Sequence, residues 1–276
     1  MLRKVLLQGL LLVSGLTGTL AASAGMLVEE PPMIAGAPFS GVVNVQSTTN
    51  FADGNRIVRT NTARYFRDGQ GRTRTERQGS SVQGIPMAGG PIITISDPVK
   101  EQRINLLPAR KMATVFKLPA GGAFSQTPVA PCSDNATPFA LLGMGMAIGA
   151  SQLTEASTST TALGQKSING VNTTGCRIVK TIPVGLLGNE KPITNTIEQW
   201  VSTDLGMIVQ LSETSSIGGN VTVSLEQVVL SEPDASLFTT PANYTVHNLD
   251  IPAPTGANTA TAVAVGPETG TTVAAH

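Results

Sequence analysis

The sequence contains few aromatic residues, 4% of the chain, and few charged residues, 13%. A helical bundle would need more Leu, Glu, Lys and Arg, so both shortages argue against one. Gly, Thr, Ser, Ala and Val take their place, which is typical of β-structure with long loops. The length of 276 residues allows one large domain or two small ones. We therefore expect a mainly β protein.

Histidine and cysteine are also rare. The chain has two of each, His247 and His276 and Cys132 and Cys176. None of them has the spacing of a zinc site. No G-x-S-x-G sequence accompanies His247, so a Ser-His-Asp hydrolase site is not supported. The sequence predicts no catalytic residue, no metal site and no cofactor, and hence no enzyme.

The two cysteines allow two interpretations. In an oxidising compartment Cys132 and Cys176 can form a disulfide, which would restrict the unfolded chain by closing a long loop. The alternative is a pair of buried free thiols, since two cysteines are far from a disulfide framework. Mass measurement with alkylation, before and after reduction, distinguishes the two.

The N-terminus has the pattern of a secretory signal. Arg3 and Lys4 precede a largely apolar stretch, and Ala22-Ser23-Ala24 fits the small-residue cleavage rule. The alternative, an uncleaved membrane anchor, would need a longer apolar stretch. No later segment reaches the roughly 20 apolar residues that span a bilayer. We expect a mature chain without a transmembrane segment, in the periplasm or secreted.

The remaining chain divides into β-rich and low-complexity parts. Alternating Val43 and Val45, followed by the turn Asp53-Gly54-Asn55, indicate strands joined by tight turns. The expected fold is a curved antiparallel sheet or half-barrel, built from two meanders of one domain with few helices. The predicted parts are a signal peptide (1–24), a flexible lead-in (25–38), a first β-meander (39–117), a Gly/Ser/Thr-rich insert (118–162), a second β-meander (163–247) and a disordered tail (248–276).

The second meander contains the clearest alternation. Asn195, Ile197 and Gln199 fall on one side of a predicted strand, and Trp200 falls on the other. Further on, Leu237 and Phe238 follow Glu232-Pro233-Asp234 and are expected to pack under the sheet as a structural anchor.

An apolar stretch at 139–150 lies within the insert. It is too short to span a bilayer and too rich in glycine to predict a helix. A lid, a loop buried against the sheet and a segment that touches a membrane are all consistent with its composition.

Seven arginines lie between Asp53 and Arg77, and Arg67, Arg72 and Arg74 are the candidates for an anion-binding or partner-binding surface. The alternative is a solvated sheet face on which arginines pair with neighbouring acids. Nucleic acid is not an expected partner, because the second half of the chain is acidic and the chain carries an export signal.

Several motifs resemble a bacterial envelope family. They are Y-x-R-D-x-x-G-R-T-R-x-E from Tyr65, Ile95-Ser96-Asp97-Pro98, Leu163-Gly164-Gln165 with Ile168-Asn169-Gly170-Val171, Glu198-x-Trp200-x-Ser202, and Glu232-Pro233-Asp234 with Leu237-Phe238, Pro241 and Tyr244. The pattern resembles exported β-rich envelope proteins of the acidobacterial type. More remotely, it is similar to the outer-membrane lipoprotein-sorting fold, which is LolA/LolB-like.

That remote resemblance implies a curved sheet with a groove for acyl chains. The leading hypothesis is a non-enzymatic envelope protein that binds a lipid or a lipoprotein acyl chain on the concave face. Trp200, Phe66 and Phe116 are the candidate lining residues. The alternative is a structural or protein-interaction module of the cell envelope, with an envelope protein as its partner and the arginine-rich strands as its contact surface.

Overall fold

The fold is described by a computed structural model that covers residues 30–77, 81–82, 85–86, 90–117, 128–132, 156–217 and 219–249. The described residues contain no α-helix, and short 3-10 turns lie at Pro108–Arg110 and Ala235–Phe238. The strands are β1 (Phe39–Asn50), β2 (Arg56–Arg67), β3 (Thr73–Arg77), β4 (Ser81–Val82), β5 (Ile85–Pro86), β6 (Ile92–Asp97), β7 (Gln102–Leu107), β8 (Met112–Lys117), β9 (Ser157–Ile168), β10 (Val171–Ile182), β11 (Ile193–Ser202), β12 (Met207–Ser215), β13 (Gly219–Val229) and β14 (Thr245–Leu249).

All of these strands belong to one open, curved sheet. Its order is β14-β8-β7-β6-β3-β2-β1-β13-β12-β11-β10-β9, and the short β4–β5 hairpin pairs with β2. Two antiparallel meanders are thus joined where β1 pairs with β13. Among the described strands, only β14 is parallel to its neighbour, β8. The fold class predicted from the sequence is confirmed.

The strand register defines two faces that run across the whole sheet. Val43 of β1 lies opposite Ala63 of β2 and Leu225 of β13. We call this side face A, and the opposite side, which carries Phe66 of β2, face B. Because side chains alternate along a strand, every residue can be assigned to a face by following the register from strand to strand.

Face A buries the main hydrophobic cluster, which centres on β1, β2, β12 and β13. Two irregular segments lie on it. In the first, Pro32 accepts a hydrogen bond from Arg67, and in the second, Val129 donates to Gly206 (2.8 Å). The second cluster lies on face B of the first meander, where Phe66, Ile95 and Leu106 are buried against Phe238. The predicted anchor at Leu237 and Phe238 is confirmed.

Two boundaries differ from those expected. Strand β9 begins at Ser157, inside the predicted insert of 118–162, because its Ser/Thr-rich residues continue the pairing with β10 as far as Thr181. Strand β14 extends to Leu249, beyond the predicted second meander, and pairs with β8 of the first meander. The signal peptide, the 139–150 stretch and the tail from residue 250 onward lie outside the described residues.

Candidate functional site

The candidate site lies on face A of the second meander. There β11 places Asn195, Ile197 and Gln199 in alternation toward the same side, so the two amides lie roughly 13 Å apart along the strand, with Ile197 between them. Ile178 of β10 lies opposite Ile197, and Leu211 of β12 lies opposite Gln199. We call these five residues the amide patch. It consists of an aliphatic centre flanked by two primary amides.

The two amides are buried, but the described structure does not satisfy them. Asn195 is 0% exposed and Gln199 is 2% exposed. Neither Nδ2 nor Oδ1 of Asn195, nor Nε2 of Gln199, has a hydrogen-bond partner among the described residues. A buried polar group without a partner costs about 1–3 kcal/mol, whereas leucine would occupy the same volume without this penalty. The patch therefore contains two donors and one acceptor whose partners are not among the described residues.

Charged groups and a disulfide border the amide patch. Glu213 lies opposite Ile197 on β12 and is 1% exposed, and half-buried Lys180 lies opposite Asn195 on β10. Cys176 lies opposite Gln199 and is bonded to Cys132, with the two Cα atoms 5.3 Å apart. The disulfide thus ties the second irregular segment to face A beside the patch.

The structure does not bring the three predicted ligand-binding aromatics together. The strand register carries face B from Phe66 through Arg74, Ile95 and Ile104 to Val115. Phe116 follows Val115 on β8, so its side chain lies on face A. Trp200 lies on the side of β11 opposite Gln199, and its strand is separated from that of Phe66 by β1, β13 and β12. Strand alternation and sheet order keep the three residues apart, and their role in lining a ligand site stays a prediction.

Trp200 has a structural role in its own meander. Its ring lies over Gly175 of β10, where an added Cβ would come within 2.5 Å of the ring carbons. The ammonium of Lys166 lies 3.7 Å from the ring centroid. The aromatic ring thus covers the bare backbone of a strand glycine, which stabilises the β10–β11 pair.

The side chain of Arg67 is fully buried. Its guanidinium donates to the carbonyl oxygens of Ala37 (2.8 Å), Pro32 (3.0 Å) and Leu205 (2.9 Å), and it lies over the ring of Phe39. Burial lowers the pKa of Arg67 to about 10. Arg67 therefore fastens the chain before β1 and the β11–β12 turn to β2.

The other two candidate arginines are held by neighbouring groups. Arg72 forms an ion pair with Asp68, and its guanidinium lies over the ring of Phe238. Arg74 pairs with Glu76 (2.8 Å) and donates to the carbonyl oxygen of Leu237 (2.8 Å). The pairing considered as the alternative is present, but the side chains are largely buried instead of solvated. The anion-binding or partner-binding surface of Arg67, Arg72 and Arg74 stays a prediction.

Sequence reasoning placed Asn195 and Gln199 on the correct side of their strand but did not identify them as a site. The available signal was two amides within an otherwise aliphatic alternation, Ile193 to Val201. Alternation alone cannot show whether a polar residue on a buried face finds a partner, because partners come from other strands.

The described residues contain no group of three His, Cys, Asp or Glu side chains that could hold a metal ion. His247 is exposed on β14, the strand at the far edge of the sheet from β9. The chemistry that the amide patch offers is hydrogen bonding beside aliphatic surface, with Glu213 and Lys180 on the neighbouring strands.

Solved structures show a remote likeness to this fold. The lipoprotein LppX of Mycobacterium tuberculosis is 16% identical, with 68% of this chain and 85% of that chain covered and a TM-score of 0.27. LprF of Mycobacterium bovis is 15% identical over 74% and 90% of the two chains (TM-score 0.27), and a LolA superfamily protein of Nitrosomonas europaea is 8% identical over 75% and 91% (TM-score 0.27).

The likeness is remotely LolA-like, as the sequence motifs predicted. At these TM-scores it assigns no function. No protein-family model and no curated protein matches the sequence. The predicted likeness to acidobacterial envelope proteins stays a prediction. Within the described residues, no helix has the length and apolar character needed to cross a bilayer.

Proposed function

We propose that this protein is a non-enzymatic, exported binding protein that holds the acyl chain of a lipid or lipoprotein on face A, at the amide patch. The observation that carries the proposal is the set of buried, unpartnered amide atoms of Asn195 and Gln199 within an aliphatic surface. Such a surface fits an amphipathic ligand, whose apolar chain contacts Ile178, Ile197 and Leu211 while its polar group bonds one of the two amides.

The setting of the patch supports this proposal. Among the described residues no helix covers face A, and the cover that is described there consists of irregular chain. A sheet face rich in aliphatic side chains is stable only when another layer removes it from water. An acyl chain contributes about 0.8 kcal/mol for each buried CH₂ group, so even a partly enclosed chain gives useful affinity.

The direct test is to purify the mature protein from a periplasmic fraction and to measure bound molecules by native mass spectrometry and lipid extraction. We expect a lipid to co-purify and a fluorescent fatty acid to bind to delipidated protein. Absence of both would refute the proposal.

Variants at the patch locate the site. Asn195→Leu with Gln199→Met removes the amides at nearly constant volume and should weaken ligand binding roughly 5–30-fold, the equivalent of one or two hydrogen bonds. Thermal stability should stay equal or rise, because two unsatisfied polar groups leave the core. Trp200→Phe, on face B, is the matched control and should bind the ligand normally. Equal binding by all three proteins would place the ligand elsewhere.

A further inference from the structure

The strand connections divide between two ends of the sheet, and the ends differ in charge. One end, which we call the basic end, carries the connections β1–β2 (51–55), β7–β8 (108–111), β10–β11 (183–192) and β12–β13 (described at 216–217). The opposite, acidic end carries β2–β3 (68–72), β6–β7 (98–101), β11–β12 (203–206) and the chain after β13 (230–234).

Exposed charged side chains at the basic end are mainly positive. The bases are Arg56, Arg110, Lys111 and Lys191, and the acids are Asp53 and Glu190. The loops of the acidic end have the reverse balance, with exposed Glu101, Asp204, Glu232 and Asp234 against exposed Lys100. The adjoining strand ends add exposed Lys117 and Lys166, so acids outnumber bases at this end by one. The described part of the molecule is therefore electrically polar along its strands, although the whole chain has a formal net charge of zero.

Apolar side chains project from the turns of the basic end. Phe51 in the β1–β2 turn is 44% exposed, and Val184 in the β10–β11 loop is 57% exposed. Beside Val184, the partly buried Leu186 and Leu187 pack on Ile182 together with Ile217 of the β12–β13 turn.

These turns lie next to one another. Thr49 pairs with Gly219, which places the β1–β2 and β12–β13 turns side by side. The backbone N–H of Ser216 donates to the carbonyl oxygen of Thr194 (2.9 Å), which joins the β12–β13 turn to the start of β11. Phe51, Val184 and Ile217 therefore belong to one continuous rim of loop tips.

We propose that this rim docks the protein on an anionic lipid bilayer. Phe51 and Val184 insert into the interface, and the arginines and lysines at the same end of the sheet contact anionic headgroups. Exposed apolar residues also occur at the acidic end, where Val99 is 66% and Leu230 is 57% exposed, so apolar exposure alone does not choose between the ends. Charge distinguishes the two ends, because an anionic surface repels acidic loops and attracts basic loops. Separate projecting tips suit insertion among lipid headgroups better than the flat, closely packed surface of a protein interface.

Vesicle flotation tests the docking. The mature protein should float with vesicles of phosphatidylethanolamine and phosphatidylglycerol, and less with phosphatidylcholine alone or at high salt. Phe51→Ser with Val184→Ser should reduce binding roughly tenfold or more, given the transfer free energy of the lost side chains. Arg110→Glu with Lys111→Glu should reduce it roughly fivefold or more on anionic vesicles only. Val99→Ser with Leu230→Ser, at the acidic end, is the matched control and should bind like the wild type.

A tryptophan probe reports contact independently of flotation. In a Trp200→Phe background, Phe51→Trp should show blue-shifted emission and quenching by brominated lipid, whereas Val99→Trp should show neither.

Failure of the wild-type protein to float, or an equal loss in the acidic-end control, would overturn the proposal. So would Phe51-dependent self-association without vesicle binding, which would assign the rim to a second copy of the chain. Docking and acyl-chain binding are measured separately, so either can fail alone.

Discussion

Single residues in this protein take roles that depend on whether they meet a partner. Arg67 finds three carbonyl oxygens and becomes a clamp, whereas Asn195 is equally buried and finds none among the described residues. Both are polar residues on face A of a strand. The presence or absence of nearby hydrogen-bond partners, rather than the residue type, thus distinguishes a structural role from a candidate binding role.

Asp234 provides a test at the scale of one residue. Its carboxylate accepts a hydrogen bond from the backbone N–H of Ser236 (2.8 Å), and this bond, with a contribution from the Ser236 hydroxyl, holds the pKa of Asp234 below its ordinary value. Because the folded-state pKa is the lower one, the resulting stability is present above the unfolded pKa and is lost as pH falls through the folded pKa.

The side-chain carboxyl carbon of Asp234, followed by NMR, should therefore titrate at lower pH than in a short peptide. Asp234→Asn should keep the cap of the Ala235–Phe238 turn and lose this contribution to acid sensitivity, and Asp234→Ala should lose both. A peptide-like titration in the folded protein would contradict the assignment.

Pairs of strands show how a sequence irregularity is compensated across the sheet. Gly175 lies within β10 and has no side chain, and the pairing of β10 with β9 shifts register directly after it. Trp200 on the next strand covers the gap. The only tryptophan of the chain thus has a structural contact with its neighbour on β10.

A double-mutant cycle measures this contact. Trp200→Ala should lower the free energy of unfolding by roughly 1–3 kcal/mol, less than for a fully buried aromatic residue. Gly175→Ala should destabilise the wild type, because its methyl group would meet the ring, but should be tolerated in the Trp200→Ala background. Chemical denaturation of all four proteins gives the coupling energy, which we expect to be about 0.5–3 kcal/mol. Strictly additive effects would show that the ring does not confine Gly175.

At the scale of the whole molecule, the disulfide links parts of the chain that the sheet does not pair. Cys132 and Cys176 are 44 residues apart in sequence. A loop of this length gives about 4 kcal/mol of stabilisation in the chain-entropy account of disulfides. Reduction should therefore lower the midpoint of denaturant unfolding by a corresponding amount, and alkylation before reduction should label neither cysteine. Labelling of the unreduced protein would contradict the bond.

The sequence alone determined the class of fold and much of its order. Alternating residues such as Val43 and Val45, and turns such as Asp53-Gly54-Asn55, depend on neighbours within a few positions, so they can be recognised locally. For the same reason, the side of β11 that carries Asn195 and Gln199 was predicted correctly.

Only the tertiary structure decided on which face of the sheet the side chains of each strand lie and which groups meet there. The separation of Phe66 from Phe116 and the burial of Arg67 depend on register and on chain segments far apart in sequence. The same is true of the unpartnered amides of the patch. Contacts of this kind form between strands that local patterns cannot align, because a shift of one residue moves every side chain to the other face.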